Sequence, residues 1–594
     1  MSSERRPVVT RIGPLGVVAA TWVVIAVLFP TTEPDAMVSG GPGGSSTIEL
    51  ADGASGTAAG GRTATSAGSG DAAGPATGAG ADAGADAAGG AAGGDGAGDA
   101  PGAPEATAAG ASGTTVGGLP CEPGVRQIPV STYAVPCLPA WSGDNGGTTA
   151  RGVTADEIVI VERVFPETAN SQAVGAVTEQ AGAASAEQQD AIFEVFKQYL
   201  NDHYELYGRK VRWIRYESRF GSSTDEAQSK GREAACLDAG VVADELGAFA
   251  VVGTRAAPVS GPFAECAAQR GVAVLNGAAY FPERFYAALH PYVWAFTMEC
   301  ERISYQVAEY VGKRLAGKPA KWAGDPLLAS QDRKFATYVP NNDEYQHCVD
   351  ITERVGKEQY GVPASSRYNY TLDVSRFPDE AARGVVQFKA DGATTVVMAC
   401  DPISAIFLTQ SATSQAYYPE WFLIGTALQD TDLFAQLYDQ DQADGHMFGM
   451  SQLGATSKIV GPDSEPGRLY ELITGQRMVE GASGGYSGLI LTYNFLQAAG
   501  PGLTADAIAT GARTIPPGGA PDFSLGYWSF ADGPDGTAGA GDHTAVDDSR
   551  EIYWTRSKVS PENGTPGTFV ETYGGQRFRN GEWPAEDPPI YPGS

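Results

Sequence analysis

The 594-residue sequence has no block of lysine and arginine, and its 40 basic side chains are outnumbered by 70 acidic ones, for a formal charge of -30. The pI is near 4.5. Without a basic patch the chain lacks the electrostatic footprint that holds a phosphate backbone, which argues against nucleic acid as a partner. Histidine is scarce as well. The five residues His203, His290, His347, His446 and His543 are scattered and form no HExxH motif, so neither a metalloprotease nor a histidine-based triad is expected. The seven cysteines include no CxxC pair and no spacing to histidine that would build a zinc site. Aromatic and branched apolar residues are almost missing from residues 31–118, which are mostly Gly, Ala, Asp, Ser and Thr. Such a stretch cannot bury enough surface to offset its chain entropy and reads as a disordered linker.

What is present divides the chain further. Arg5, Arg6 and Arg11 precede an almost unbroken apolar run over residues 12–29. That length is at the short end of the ~17–25 residues a spanning helix needs, and the arginines hold its N-terminal side in the cytoplasm. No small-x-small cleavage pattern follows Phe29 and no cysteine there accepts a lipid, so residues 1–30 are expected to be an uncleaved anchor, with cleavage and secretion as the other outcome. The linker, as a Gly-rich coil, has a reach on the order of 50 Å. Residues 119–151 form a Cys-containing entry segment, and residues 152–594 the folded body.

Outside the cytoplasm the cysteines read as disulfides. Spacing does not fix connectivity; the pairing expected here joins Cys121 to Cys137, Cys236 to Cys266 and Cys348 to Cys400, leaving Cys300 as a buried thiol. Within the body, strand-like runs at 158–165, 211–216, 248–252 and 272–275 alternate with helical periodicity at 186–204, 224–238 and 259–269. A second series follows the helix at 303–315, with strands near 335–339, 367–372, 394–398 and 421–424. Such alternation implies βαβ units on parallel sheets. Two series point to an α/β fold with two lobes, lobe 1 at about 152–300 and 452–520, lobe 2 at about 301–451 with a C-terminal return. Open α/β sheets bind ligands outside the carboxyl ends of their strands, so the cleft between the lobes is the expected site.

The segments "GVTADEIVIV", "FKQYLNDHYELYGRKVRWIRYES", "AACLDAG", "AFAVVGT", "CAAQRGVAVLNG" and "GYSGLILTYNFLQAAGPGLT", in this order and spacing, resemble the type I periplasmic-binding-protein family, in its branched-chain amino acid and amide branch. The resemblance runs from about residue 152 to 577. It implies two Rossmann-like lobes joined by three crossovers, which close on a small molecule and deliver it to an ABC-type membrane permease, with no catalysis and no cofactor. Carried onto this sequence, lobe 1 contacts fall on the loop from Phe165, on "GTRAAP" with Arg255 and Ala256, and on "NGAAYF" with Ala278 and Tyr280. The amino-acid-binding relatives offer Ser and Thr hydroxyls at these turns. Arg255 instead suits a carboxylate through a bidentate bond, its alternative being a solvated or interlobe charge.

In lobe 2 the resemblance points to Tyr345, Asp401 and Thr426. Tyr345 also suits helix packing, and Asp401 before Pro402 is a good helix N-cap in its own right. Where relatives that grip an ammonium place an acid after the glycine, this chain has Thr426 and Ala427, leaving amides, small carboxylates and aromatic acids open. Two motifs are set aside. Ser483 in Gly481-Ala482-Ser483-Gly484-Gly485 fits GxSxG, but residues 476–480 do not read as the strand a nucleophile elbow requires. Asp542, Asp547 and Asp548 around His543 lack EF-hand spacing, and no metal is expected there. Two rivals to the receptor reading remain: a membrane-tethered sensor or scaffold of the same fold, and a serine hydrolase centred on Ser483.

Overall fold

The computed structural model describes residues 112–594, apart from short stretches at 169–170, 173–174, 177–178, 180–181, 228–229, 254–259, 278–279, 455–458, 522–523, 562 and 593–594. The anchor at 1–30 and residues 31–111 of the expected linker lie outside this range, while the linker's end is described and pairs Gly113–Thr114 antiparallel with Pro120–Cys121. Among the described residues no helix is long and apolar enough to cross a membrane.

Lobe 1 is built on a five-stranded sheet of β1 (Glu157–Val164), β2 (Lys210–Glu217), β3 (Ala250–Val252), β4 (Ala273–Leu275) and β5 (Val293–Trp294). The order is β2-β1-β3-β4-β5 and every pairing is parallel. β1 explains why. Ile158 and Ile160 face one hydrophobic cluster while Val159 and Val161 face another, so helices must cover both sides. One of them is α1 (Ala186–His203), which Ser185 and Gln188 start with a reciprocal capping box and which buries Ile192, Phe193, Phe196 and Leu200. α2 (Arg232–Gly240), α3 (Gly261–Gln269) and α4 (Glu283–Ala288) complete the lobe's first pass.

Lobe 2 carries an eight-stranded mixed sheet. Its parallel part is β6 (Phe335–Pro340), β7 (Ser366–Tyr370), β8 (Thr395–Met398), β9 (Glu420–Leu423) and β10 (Met447–Ser451). β11 (Ser549–Val559), β12 (Pro566–Glu571) and β13 (Arg577–Phe578) add antiparallel strands beyond β10. The order is β12-β11-β10-β9-β8-β6-β7, with β13 on β11. α5 (Cys300–Tyr310) and α6 (Asp343–Tyr360) pack together over one face, and α7 (Phe377–Ala390) and α8 (Pro402–Ser414) pair with each other.

Three passages join the lobes. β5 leads directly into α5. After β10 the chain returns to lobe 1 as α9 (Glu465–Thr474), α10 (Tyr486–Ala498) and α11 (Ala505–Ala512), of which α9 and α10 pack on α1. It then re-enters the second sheet as β11. The first and third passages are hydrogen-bonded to each other, Ala295 N–H to His543 O at 3.0 Å and Ala545 N–H to Ala295 O at 3.1 Å. This is the two-lobed α/β arrangement with three crossovers that the resemblance implies. The entry segment docks on lobe 1, where the Asn494 side chain on α10 bonds the backbone of Tyr133 and Val135.

Disulfides join Cys121 to Cys137, Cys236 to Cys266 and Cys300 to Cys348. The expected Cys348–Cys400 bridge is therefore corrected: Cys348 faces α5 across the helix pair, with a Cα separation of 5.8 Å from Cys300. Cys400, at the carboxyl end of β8, is the free, buried thiol.

Candidate functional site

The carboxyl ends of β6, β8 and β9 meet where the lobes face each other, and each ends in a turn that presents one expected residue. β6 runs into α6, whose first turn carries Tyr345. β8 runs through Cys400 to Asp401, the N-cap of α8. β9 runs into 424–428, where Gly425, Ala427 and Leu428 all have positive φ. Gly425 is required there: a Cβ would stand 2.8 Å from the Met450 carbonyl oxygen. From lobe 1, Tyr280 also adopts a positive φ of 64°, and its hydroxyl accepts from the Ala427 N–H at 2.8 Å. Non-glycine residues held in this conformation on both sides of a cleft are characteristic of ligand clamps.

Tyr280, Tyr345, Asp401 and Thr426 line one cavity, together with Ala427, Cys400 and the Cys300–Cys348 pair. Its other walls are apolar: Ile303, Val307 and Val311 from the α5 side, Val349 from α6, and Phe335, Val397 and Ile424 from the sheet. The volume is about 160 Å³.

The electrostatics are those of a dry site. Burial pushes the Tyr280 hydroxyl up to about 12, with the Asp430 carboxylate adding to the effect. Burial likewise raises Tyr345, followed by the nearby charge of Glu344. Both phenols are neutral donors at physiological pH. The Cys400 thiol is raised well above its ordinary range by burial and then by Asp401, which makes it inert as a nucleophile. Asp401 is raised by burial as well. Its Oδ1 accepts from the Ile403 and Ser404 N–H groups at 3.0 and 2.9 Å, and its Oδ2 from the Tyr370 hydroxyl at 2.7 Å. Asp401 is thus a helix cap on the cavity wall with both oxygens engaged.

Phe165 stands apart from the cavity. The Arg163 guanidinium lies 4.5 Å from its ring centroid, and the same guanidinium bonds Glu226 and Asp238 at 2.6 and 2.7 Å. Phe165 therefore belongs to a buried structural network in lobe 1. Arg255, Ala256 and Ala278 lie outside the described residues. Ser483 sits in a loop leading into α10, with no strand before it. The acidic group near His543 resolves into pairs: Asp542 and Asp547 with Arg302, Asp548 with Arg577, and His543 with Glu283. Among the described residues no cluster of His, Cys, Asp or Glu has a metal-site arrangement.

Sequence reasoning did not find the inner walls, Ser304, Thr337, Thr352 and Glu353 among them. The available signal was Thr337 alone between Phe335 and Val339 on the inward face of β6.

No family model matches the sequence, and no curated protein matches it. Among solved structures, an ABC transporter substrate-binding protein from Aeropyrum pernix is similar at 11% identity and a TM-score of 0.49, over 72% of this chain and 96% of that one. The branched-chain amino acid transporter substrate-binding protein LivJ from Streptococcus pneumoniae, in complex with isoleucine, shares 14% identity at a TM-score of 0.45, over 70% and 100%. A solute-binding protein of an ABC transporter from Rhodopseudomonas palustris, in complex with 3,4-dihydroxybenzoic acid, shares 13% at 0.46, over 72% and 98%. At these identities and TM-scores the likenesses lend no support to a particular ligand.

Proposed function

We propose that this protein is an extracytoplasmic solute-binding protein, tethered to the cell membrane through residues 1–30, that closes its two lobes on a small amide, carboxylate or amino acid-like molecule and passes it to an ABC-type permease. The observation that carries the reading is the cavity at the lobe boundary, to which Tyr280 comes from one lobe and Tyr345 and Thr426 from the other. A ligand seated there touches both lobes. It shifts the open–closed equilibrium by its differential affinity for the closed form, and excluding water strengthens the hydroxyl contacts. Arg255, Ala256 and Ala278 complete the proposed lobe 1 side on sequence grounds.

The test is thermal unfolding of the protein against amino acids, amides, ureas, aromatic acids and sugars. A true ligand at about 100 times its Kd stabilises the folded state by roughly 2.7 kcal/mol and raises Tm by several degrees. Tyr280→Phe removes the acceptor of the Ala427 N–H, a loss of about 1–3 kcal/mol when that group is buried, and is expected to weaken the hit roughly tenfold or more. A panel that leaves Tm unmoved in a folded protein overturns the reading.

A further inference from the structure

The cavity does not stop at the cleft. It runs inward between the α5–α6 pair and one face of the lobe 2 sheet, from Tyr345 at the start of α6 to Gly356 near its end. Eleven residues of helix at 1.5 Å per residue make that about 16 Å. The sheet side is one pleat face, Phe335 and Val339 with Thr337 between them, while Ala336 and Tyr338 pack into the separate cluster behind. Polarity changes along the passage. The phenols and the Thr426 hydroxyl gather at the cleft end, valines line the walls beyond them, and Phe335, at the amino end of β6, stands at the inner end.

The few polar groups partway along the passage satisfy one another. Thr337 and Ser365 hydroxyls lie 2.9 Å apart, the Ser365 hydroxyl donates to Glu353 at 2.8 Å, and Glu353 pairs with Arg367 at 2.8 Å. They ask nothing of an occupant. The Cys300–Cys348 bridge ties α5 to α6 and borders the passage.

From this gradient we infer that the ligand is an amphiphile, with a polar head held at the cleft and an unbranched hydrocarbon arm lying along α6 inside lobe 2. The inference rests on the solute-binding reading and narrows its substrate class. A compact amino acid fills only the mouth, whereas a medium-length chain fills the passage and removes its apolar walls from water.

The experiment is calorimetric titration of the full-length protein with acetate, butyrate, hexanoate, octanoate and decanoate, and with the matching primary amides. At ~0.8 kcal/mol per buried methylene, each added carbon is expected to tighten binding roughly fourfold until the passage is full, about sixteenfold from hexanoate to octanoate. Gly356→Leu, at the inner end, is expected to remove the gain of decanoate over octanoate, and Val349→Trp, one helical turn from Tyr345, to stop the gain at shorter chains. Position 356 has room for a side chain, since a Cβ there meets only Val362 at 3.6 Å. Because the chain-length series on the unmodified protein decides the matter, a poorly folding variant does not leave it open. Affinity that is flat or falls with chain length, or binding confined to compact amino acids, overturns the amphiphile and leaves the receptor standing. No binding by either series or by any compound of the wider panel overturns both.

Discussion

Replacing Arg302 with methionine is expected to destabilise the protein by roughly 3–5 kcal/mol, the effect of stranding buried charge when one partner is removed. Arg302 opens α5 with its side chain 2% exposed. Its guanidinium bonds Asp542 at 2.5 Å and the Asp532 carbonyl at 2.9 Å, with Asp547 and Glu299 each at 3.3 Å. Glu299 belongs to the first interlobe passage, Asp542 and Asp547 to the third. Burial opposes the charge on Arg302, but Glu299, Asp547 and Asp542 together outweigh it and hold its pKa up. Burial pushes Asp542 and Asp547 up, and the Arg302 charge is what opposes it in both. Without the guanidinium these acids take up protons at neutral pH or draw in water, and the two passages lose their shared anchor. The check is urea unfolding of Arg302→Met beside the triple variant that adds Asp542→Asn and Asp547→Asn. If the mechanism is charge stranding, the triple variant recovers part of the loss. A triple variant no more stable than the single one points to lost packing instead.

Much of this architecture could be read from residue patterns, and the parts that could not share a cause. β1, β6 and β8 stand out as short apolar runs because both their faces are buried, and α1 declares itself by its apolar spacing behind Ser185. β10 and the β11–β13 return do not. "MFGMS" carries Gly449, whose backbone approaches Leu423 so closely that a Cβ would meet its carbonyl oxygen, and a glycine inside a strand reads as a breaker. β11 is buried only in its first half, so its second half reads as loop. For the site, Tyr345, Asp401 and Thr426 are what the family resemblance implies, and they fall on the strand-to-helix turns where such sheets bind ligands. The inner passage was hidden because its walls are ordinary core residues in composition, and only their arrangement leaves space between them. The cysteine pairing failed for a related reason. Cys300, Cys348 and Cys400 all border the same cavity, and sequence offers no way to choose which two face each other.

A second large effect is expected from Glu283, read as a difference in stability between pH 6.5 and 8. Its carboxyl lies 2.6 Å from Nδ1 of His543, whose Nε2 lies 3.0 Å from Nδ1 of His290. Burial, then the charge of Glu299, pushes Glu283 up to about 8, with Glu301 adding to the effect and Arg513 opposing it. Burial, then Arg513, pushes His543 down to about 4. The signs follow from which state binds more protons. Between its ordinary 4.5 and its folded value of about 8, Glu283 is protonated in the native state and ionised in the unfolded one, so its contribution is full below that window and is lost as pH rises through it. Between about 4 and its ordinary 6.5, His543 is neutral in the native state and charged in the unfolded one, so its contribution grows with pH. The two oppose each other up to about pH 6.5, beyond which Glu283 acts alone with a slope approaching ~1.4 kcal/mol per pH unit. Glu283→Gln cannot ionise. Its profile minus that of the unmodified protein should therefore climb by about 2 kcal/mol from pH 6.5 to 8, as measured by urea unfolding at fixed ionic strength. A difference that stays level over that range would show that the Glu283–His543 pair binds no extra proton in the native protein, with Glu283 already ionised beside a neutral His543.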